Sequence, residues 1–237
     1  MELYYAPNIH QEAELANDEA KHCLKVMRHK TGDRIFVTDG NGNMWQVVLL
    51  SDNPEHCRFE IIENVPDHYT INTAVCVAIA PTKNSSRFEW FLEKAAELGI
   101  MDIRPMLCKR SVRTKLNSQR LKKILITASK QCLRTQFPTL FSLQKFTDIL
   151  KICAMEYHSD QLFIASCAED IKLLQYAYNK SGKACVLIGP EGGFTNEESE
   201  QALAAGFEAV SLGKSRLRTE TAGIVATHTI QLMHQSL

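Results

Sequence analysis

The spacing of apolar positions divides the chain near residue 70. Before that point, short runs rich in β-branched and aromatic residues predict strands at Glu2–Ala6, Arg34–Thr38, Met44–Leu50 and Cys57–Glu63. Asp39-Gly40-Asn41-Gly42-Asn43 joins the second and third of these. Its Asp-Gly and Asn-Gly pairs supply the positive φ angles that a tight hairpin demands. Ala20, Cys23, Leu24 and Met27 fall on one face of a helix predicted over Asp18–Arg28. Asn64–Thr70, with Pro66 and few apolar residues, reads as a linker.

Beyond it the pattern becomes strands alternating with helices. Thr73–Ala80 is a continuous apolar run, as expected of a strand buried on both faces. Further strands are predicted at Ile103–Cys108, Gln161–Ser166, Ala184–Ile188 and Ala209–Leu212. Helical spacing covers Arg87–Leu98, Ser118–Leu133, Phe146–Cys153, Asn196–Ala205 and Glu220–Met233. Thr195 and Glu198 have the spacing of a capping box, and Gly99 sits just past the end of its helix. Such alternation implies an α/β fold, a parallel sheet with helices on both faces. The expected organisation is a small β-rich domain at 1–70 and an α/β domain at 71–237.

Composition narrows the class. With 45% hydrophobic and 23% charged residues in 237, the chain resembles an ordinary globular protein of one or two domains. No run approaches the ~18 apolar residues of a membrane helix. The first residues, MELYYAPNIHQEAEL, lack a basic segment followed by an apolar one, so no secretory signal is visible. Eight cysteines lie scattered without a CxxC, and are expected to be reduced thiols of a cytoplasmic protein.

Charge adds more. Lys+Arg and Asp+Glu both total 27, yet the signs are segregated. Residues 1–70 carry 6 basic and 12 acidic side chains, residues 83–151 carry 15 and 5, and residues 152–237 carry 6 and 10. Ile103–Thr147 holds 11 basic residues and no acidic one. A one-signed stretch of this length points to a polyanion such as nucleic acid, unless acidic residues from elsewhere fold over it.

Ligands of open α/β sheets bind outside the carboxyl ends of the strands. Two such ends are rich in chemistry. Gly189-Pro190-Glu191-Gly192-Gly193-Phe194 lies between a buried strand and a capped helix, where glycine allows a backbone to approach a ligand. Gly213-Lys214-Ser215-Arg216-Leu217-Arg218-Thr219-Glu220-Thr221-Ala222 leads from a strand into a helix. Each alone also fits a structural turn, and Thr219 alone an N-cap; the pair at successive strand ends favours a ligand. Gly213-Lys214-Ser215 is not a phosphate loop, because the earlier glycine would fall at Glu208. Gly40-Asn41-Gly42 lacks the third glycine of a dinucleotide fingerprint. There is no HExxH, no His/Cys cluster with zinc spacing and no GxSxG, so no metal is expected. His228 and His234 read as ordinary helix residues rather than ligands.

With these motifs the sequence resembles the RsmE-type 16S ribosomal RNA (uracil-N3)-methyltransferases of the SPOUT superfamily. The likeness is carried by LIGPEGGFTNEE (Leu187–Glu198), GFEAVSLG (Gly206–Gly213) and LRTETA (Leu217–Ala222). RFEWFLEKAAELGI (Arg87–Ile100), RSV (Arg110–Val112), QCLR (Gln131–Arg134) and HCLKVMRHKTGD (His22–Asp33) support it over nearly the whole chain. One departure is Lys214-Ser215-Arg216, where the family commonly has Pro-Arg-Ile after the glycine.

The resemblance implies a trefoil-knotted parallel sheet, a small N-terminal PUA-like β-barrel that binds RNA, and a homodimer. It implies S-adenosylmethionine (SAM) as methyl donor, held by Leu187, Gly189, Glu191 and Gly192 in the first loop. Leu212, Gly213, Leu217, Arg218, Thr219, Glu220, Thr221 and Ala222 would hold it in the second. Arg218 and Glu220 are the catalytic candidates: Arg218 to stabilise a uracil anion or anchor phosphate, Glu220 as a base, with a capping role for Glu220 the alternative. For 16S rRNA or the small ribosomal subunit, the candidate contacts are Arg28, His29, Lys83, Arg87, Arg110, Arg113 and Arg134. Arg87 has a competing role in a helix-surface pair with Glu89 or Glu93. The competing functions are methylation of another RNA or atom, and RNA binding without catalysis.

Overall fold

The computed structural model describes residues 1–66, 75–157, 161–168, 170–180 and 182–235. By its internal contacts the chain forms two compact units. One is Met1–Ile71 with Ile126–Phe137, the other Asn72–Leu125 with Pro138–Leu237. The boundary expected at 70/71, most of the linker and the start of the strand at Thr73 lie outside the described residues. Ile126–Phe137 groups with the first unit although in chain order it interrupts the second.

The first unit is built on a curled five-stranded sheet. Its strands are β1 (Leu3–Tyr5), β2 (Glu14–Leu15), β3 (Arg34–Thr38), β4 (Met44–Leu49) and β5 (Cys57–Asn64), in the order β1-β3-β4-β5-β2. β3 and β4 pair antiparallel from Arg34↔Val48 to Thr38↔Met44, as the hairpin motif predicts. Tyr4, Val37, Val47, Leu49 and Phe59 form the centre of its core. The hairpin tip is buttressed from a distant part of the chain. The Thr38 hydroxyl donates to Thr135 O at 3.2 Å, and Phe137 N–H donates to Gly40 O at 2.9 Å. A Cβ on Gly40 would lie 3.0 Å from the rings of Phe137 and Tyr5.

The helix expected over Asp18–Arg28 departs from the pattern. It is α1 (Asn17–Lys21) followed by a π-helical turn, His22–Val26. Ala20 and Cys23 are buried as expected, but Met27 is exposed. The wider turn rotates residue 27 off the face that a 3.6-residue repeat would give it.

The second unit is a parallel sheet of β6 (Val75–Ile79), β7 (Asp102–Leu107), β8 (Thr139–Leu140), β9 (Gln144–Lys145), β10 (Gln161–Ala165), β11 (Ala184–Ile188) and β12 (Glu208–Val210). The order is β12-β10-β11-β6-β7-β8, with β9 also on β7. Every residue of β6 and β11, the two middle strands, is buried. The helices are α2 (Ser85–Glu97), α3 (Ser118–Gln131), α4 (Phe146–Glu156), α5 (Leu174–Ala177), α6 (Asn196–Ala204) and α7 (Thr219–Gln235). Cys76, Ala78, Met106 and Leu187 on one sheet face pack with Ile149, Cys153 and Ala202 of α4 and α6. The other face is covered by α7, which packs on β6, β11 and α2.

After β12, at the sheet's edge, the chain returns to its middle through residues 211–218 to start α7. All eight cysteines are free thiols, six of them buried. The Sγ of Cys185 lies 3.4 Å from that of Cys153 and 3.7 Å from that of Cys76. Burial pushes the Cys76 thiol up to about 12.

Candidate active site

Three strand ends of the second unit are tied together. After β11, Gly189–Phe194 turns back on itself: Gly193 has φ +71° and its N–H donates to Pro190 O at 2.8 Å. The loop enters α6 through the predicted capping box. Thr195 Oγ1 accepts from Glu198 N–H at 3.2 Å, and Glu198 Oε2 accepts from Thr195 N–H at 2.9 Å. The other oxygen of this buried carboxylate accepts from Lys109 N–H at 2.7 Å, which fixes the loop after β7. After β12, Gly213 has φ +127°, a backbone conformation that favours glycine, and its N–H donates to Ser211 Oγ at 3.2 Å. The two sequence motifs then meet: Thr219 Oγ1 donates to Gly189 O at 3.1 Å.

The loop after β6 joins them. Lys83 N–H donates to Glu191 Oε1 at 2.8 Å. Arg113 reaches the same loop, donating from Nε to Thr82 O at 3.1 Å and from Nη2 to Lys83 O at 2.9 Å. Arg110 Nη1 donates to Gly192 O at 2.8 Å and Phe194 O at 3.2 Å, and its methylenes lie against Gly192. Arg110, which sequence reasoning gave to RNA, therefore braces a loop expected to hold the methyl donor, and Arg113, also given to RNA, braces the loop after β6 that bonds to Glu191. No local signal in the sequence marks that role, because the carbonyls they bind lie some 30 and 80 residues away.

The other candidate residues fall into distinct environments. Leu187 is fully buried within β11. Leu212, Leu217, Thr221 and Ala222 are half-buried, and Arg218 is exposed. Thr219 and Glu220 are buried in the first turn of α7. Glu220 Oε1 lies 3.6 Å from Arg87 Nε, while Glu220 Oε2 is buried without a hydrogen-bond partner. The alternative partners proposed for Arg87 are engaged elsewhere: Glu89 with Arg120 and Glu93 with Lys94. Lys83 is exposed.

Arg28 and His29 belong to the first unit. Arg28 is exposed with φ +63°, and His29 Nδ1 sits 3.2 Å from Asp33 Oδ2. That contact and the Lys30 N–H hold the Asp33 carboxyl below its usual range, the backbone donor being the larger cause. Arg134, also in that unit, is only 4% exposed. Its guanidinium is thus largely withdrawn from solvent, whereas Arg28 is exposed.

The one-signed stretch is partly neutralised from outside. Lys109 pairs with Glu197, Arg120 with Glu89, Lys130 with Glu19 and Arg104 with Glu156. Among the described residues no group of three His, Cys, Asp or Glu side chains could hold a metal ion, and no helix is long and apolar enough to cross a membrane.

Comparison with known proteins agrees with this geometry. A family model described as an RNA methyltransferase domain matches residues 70–231, and one described as an RNA methyltransferase PUA domain matches residues 15–62. A ribosomal RNA small subunit methyltransferase E from Mesomycoplasma hyopneumoniae is 30% identical over 207 residues, covering 85% of this chain and 86% of the relative. The enzyme of that name from Synechocystis is 29% identical over 229 residues, covering 94% and 73%. Among solved structures, a probable rRNA-methyltransferase from Porphyromonas gingivalis superposes with a TM-score of 0.91 at 36% identity, covering 100% of this chain and 99% of that one. A ribosomal RNA small subunit methyltransferase E from Neisseria gonorrhoeae, bound to SAM, gives 0.87 at 27% identity, covering 98% and 97%. These likenesses establish the SPOUT fold with a PUA-like N-terminal domain. Matched in both its parts and along nearly its full length, the chain belongs to the RNA methyltransferase family, in its ribosomal RNA small subunit methyltransferase E group.

Proposed function

We propose that this protein transfers the methyl group of SAM to N3 of a specific uridine in the decoding region of 16S rRNA, acting as a homodimer. The observation that carries the reading is the junction of the two motif loops at Thr219 and Gly189, with the buried Glu220 beside it. The residues present suit a nucleoside methyl donor. Gly213 has no atom within 4 Å of where a Cβ would sit, so its backbone can be approached closely, and the unpartnered Glu220 oxygen can accept a hydrogen bond or complement positive charge. Gly189, Glu191, Gly192 and the run Leu212–Ala222 would hold the donor, largely through backbone groups, with Leu187 ending the strand that presents them.

When bound, SAM supplies a methyl group made electrophilic by its sulfonium. The protein's share is then chiefly alignment of the acceptor nitrogen. Uracil N3 bears a weakly acidic proton that must leave, so a proton acceptor or a cation near the developing anion is required. In this reading Glu220 accepts the N3 proton and Arg218, exposed on the loop before α7, stabilises the uracil anion. N3 lies on the pairing edge, so the target base enters unpaired or extruded. Arg28, His29 and Lys83 contribute to RNA binding at the surface.

Nucleoside mass mapping of ribosomal RNA from cells lacking the protein tests this reading. Loss of one 3-methyluridine from 16S rRNA, restored by the gene, is expected. An unchanged 3-methyluridine content refutes the assigned product, and loss of a different methylated nucleoside moves the target.

A further inference from the structure

We infer that Arg87 is a positioning residue of the methyl-transfer site, acting through Glu220 rather than through RNA, and that the Gly223–Phe91 contact sets the spacing between them. The inference rests on the methyl-transfer reading above. Glu220 is a buried carboxylate, its side chain 7% exposed, and its described ion-pair partner is Arg87 at 3.6 Å. One of its oxygens has no hydrogen-bond partner. A buried acceptor left open is costly, and native structures keep such groups where a ligand or reacting group completes them. A cation on one oxygen leaves the other available while fixing the carboxylate's orientation.

The helix geometry accounts for the pairing. Arg87 and Phe91 lie one turn apart on α2, and Glu220 and Gly223 one turn apart on α7. A Cβ on Gly223 would lie 2.6 Å from Phe91 Cε2, 2.9 Å from Cδ2 and 3.0 Å from Ile79 Cδ1. Only glycine lets the α7 backbone approach this closely, and one turn earlier the same approach brings the carboxylate to the guanidinium. A glycine inside a helix is less favourable than alanine, so its presence here is explained by the approach it permits. The acidic residues nearest Arg87 on its own helix do not compete, since Glu89 and Glu93 hold other cations.

The test uses the full-length protein, SAM, and small ribosomal subunits from cells lacking the gene. Turnover, KM for the subunit, and the slope of log affinity against log salt are measured for Arg87→Ala, Arg87→Lys, Glu220→Ala, the Arg87→Ala/Glu220→Ala double variant and Gly223→Ala. A positioning role predicts that Arg87→Ala lowers kcat about 10- to 100-fold, with KM and the salt slope unchanged. Arg87→Lys recovers part of the loss, and the double variant is no slower than Glu220→Ala. Gly223→Ala lowers kcat in the same pattern. A phosphate contact predicts the reverse: kcat retained and the salt slope reduced by about one. That result, losses that multiply in the double variant, or no rescue by lysine overturns the inference. Absence of product from the wild-type protein instead removes the methyl-transfer reading, and the inference with it.

Discussion

Gly213 carries the sharpest constraint of any single residue in the second loop. Its φ of +127° is a conformation that side chains rarely adopt, although no atom lies within 4 Å of where a Cβ would sit. Gly213→Ala therefore pays in backbone strain, about 1–3 kcal/mol, without a clash. The expected outcome is a melting temperature lower by a few degrees and weaker SAM binding by calorimetry; an unchanged pair of values would mean that the loop is not held this way. Lys214, Ser215 and Arg216, which depart from the family pattern, are exposed. The backbone feature that the motif requires thus survives the changed side chains. At this scale the motif glycines are legible in the sequence, because φ preference is a property of the residue itself. The partners of arginines are not. Arg110, Arg113 and Arg134 look alike as surface cations in a basic stretch, and only folding separates two loop braces from an enclosed guanidinium.

Elements were legible wherever periodicity had room to act. β3 and β11 match their predicted limits, and most other predicted ends fall within two or three residues. The elements not predicted are short: β2, β8 and β9 have two residues each and α5 has four, too few to show a repeat. Elements are also where pH acts. Arg120 of α3 donates to both oxygens of Glu89 on α2, at 2.8 and 2.9 Å, and holds that carboxyl below its usual value. A carboxyl depressed in the folded state adds stability above its ordinary pKa and loses it as the pH falls through the lowered value. Wild type should exceed Glu89→Gln in the free energy of urea unfolding at neutral pH, by less than about 1 kcal/mol because Arg120 is exposed. The difference should vanish in acid; a difference that persists there would assign Glu89's effect to packing.

For the whole molecule, charge sorts the two ligands. Basic residues of 103–147 are matched in part by glutamates from elsewhere, yet residues 83–151 still carry ten more basic than acidic side chains. RNA affinity should fall steeply as salt rises, because phosphate contacts release counterions, whereas SAM affinity should change little. Equal salt sensitivity of both, measured by titration, would contradict a division between an RNA surface and a loop-built donor site.

The alternation of strands and helices, the capping of α6, the hairpin of the first unit and the two glycine-rich strand ends are all written in the order of the amino acids. All of these follow from residue preference and spacing along a few turns of chain. The strand order, the return of residues 211–218 to the middle of the sheet, and the grouping of Ile126–Phe137 with the first unit emerge only on packing. Packing also set Glu220 against Arg87 across 133 residues of chain. Those outcomes depend on which buried faces and charges meet when the elements pack, and a local pattern records that a face is apolar or a group charged without recording what it will meet.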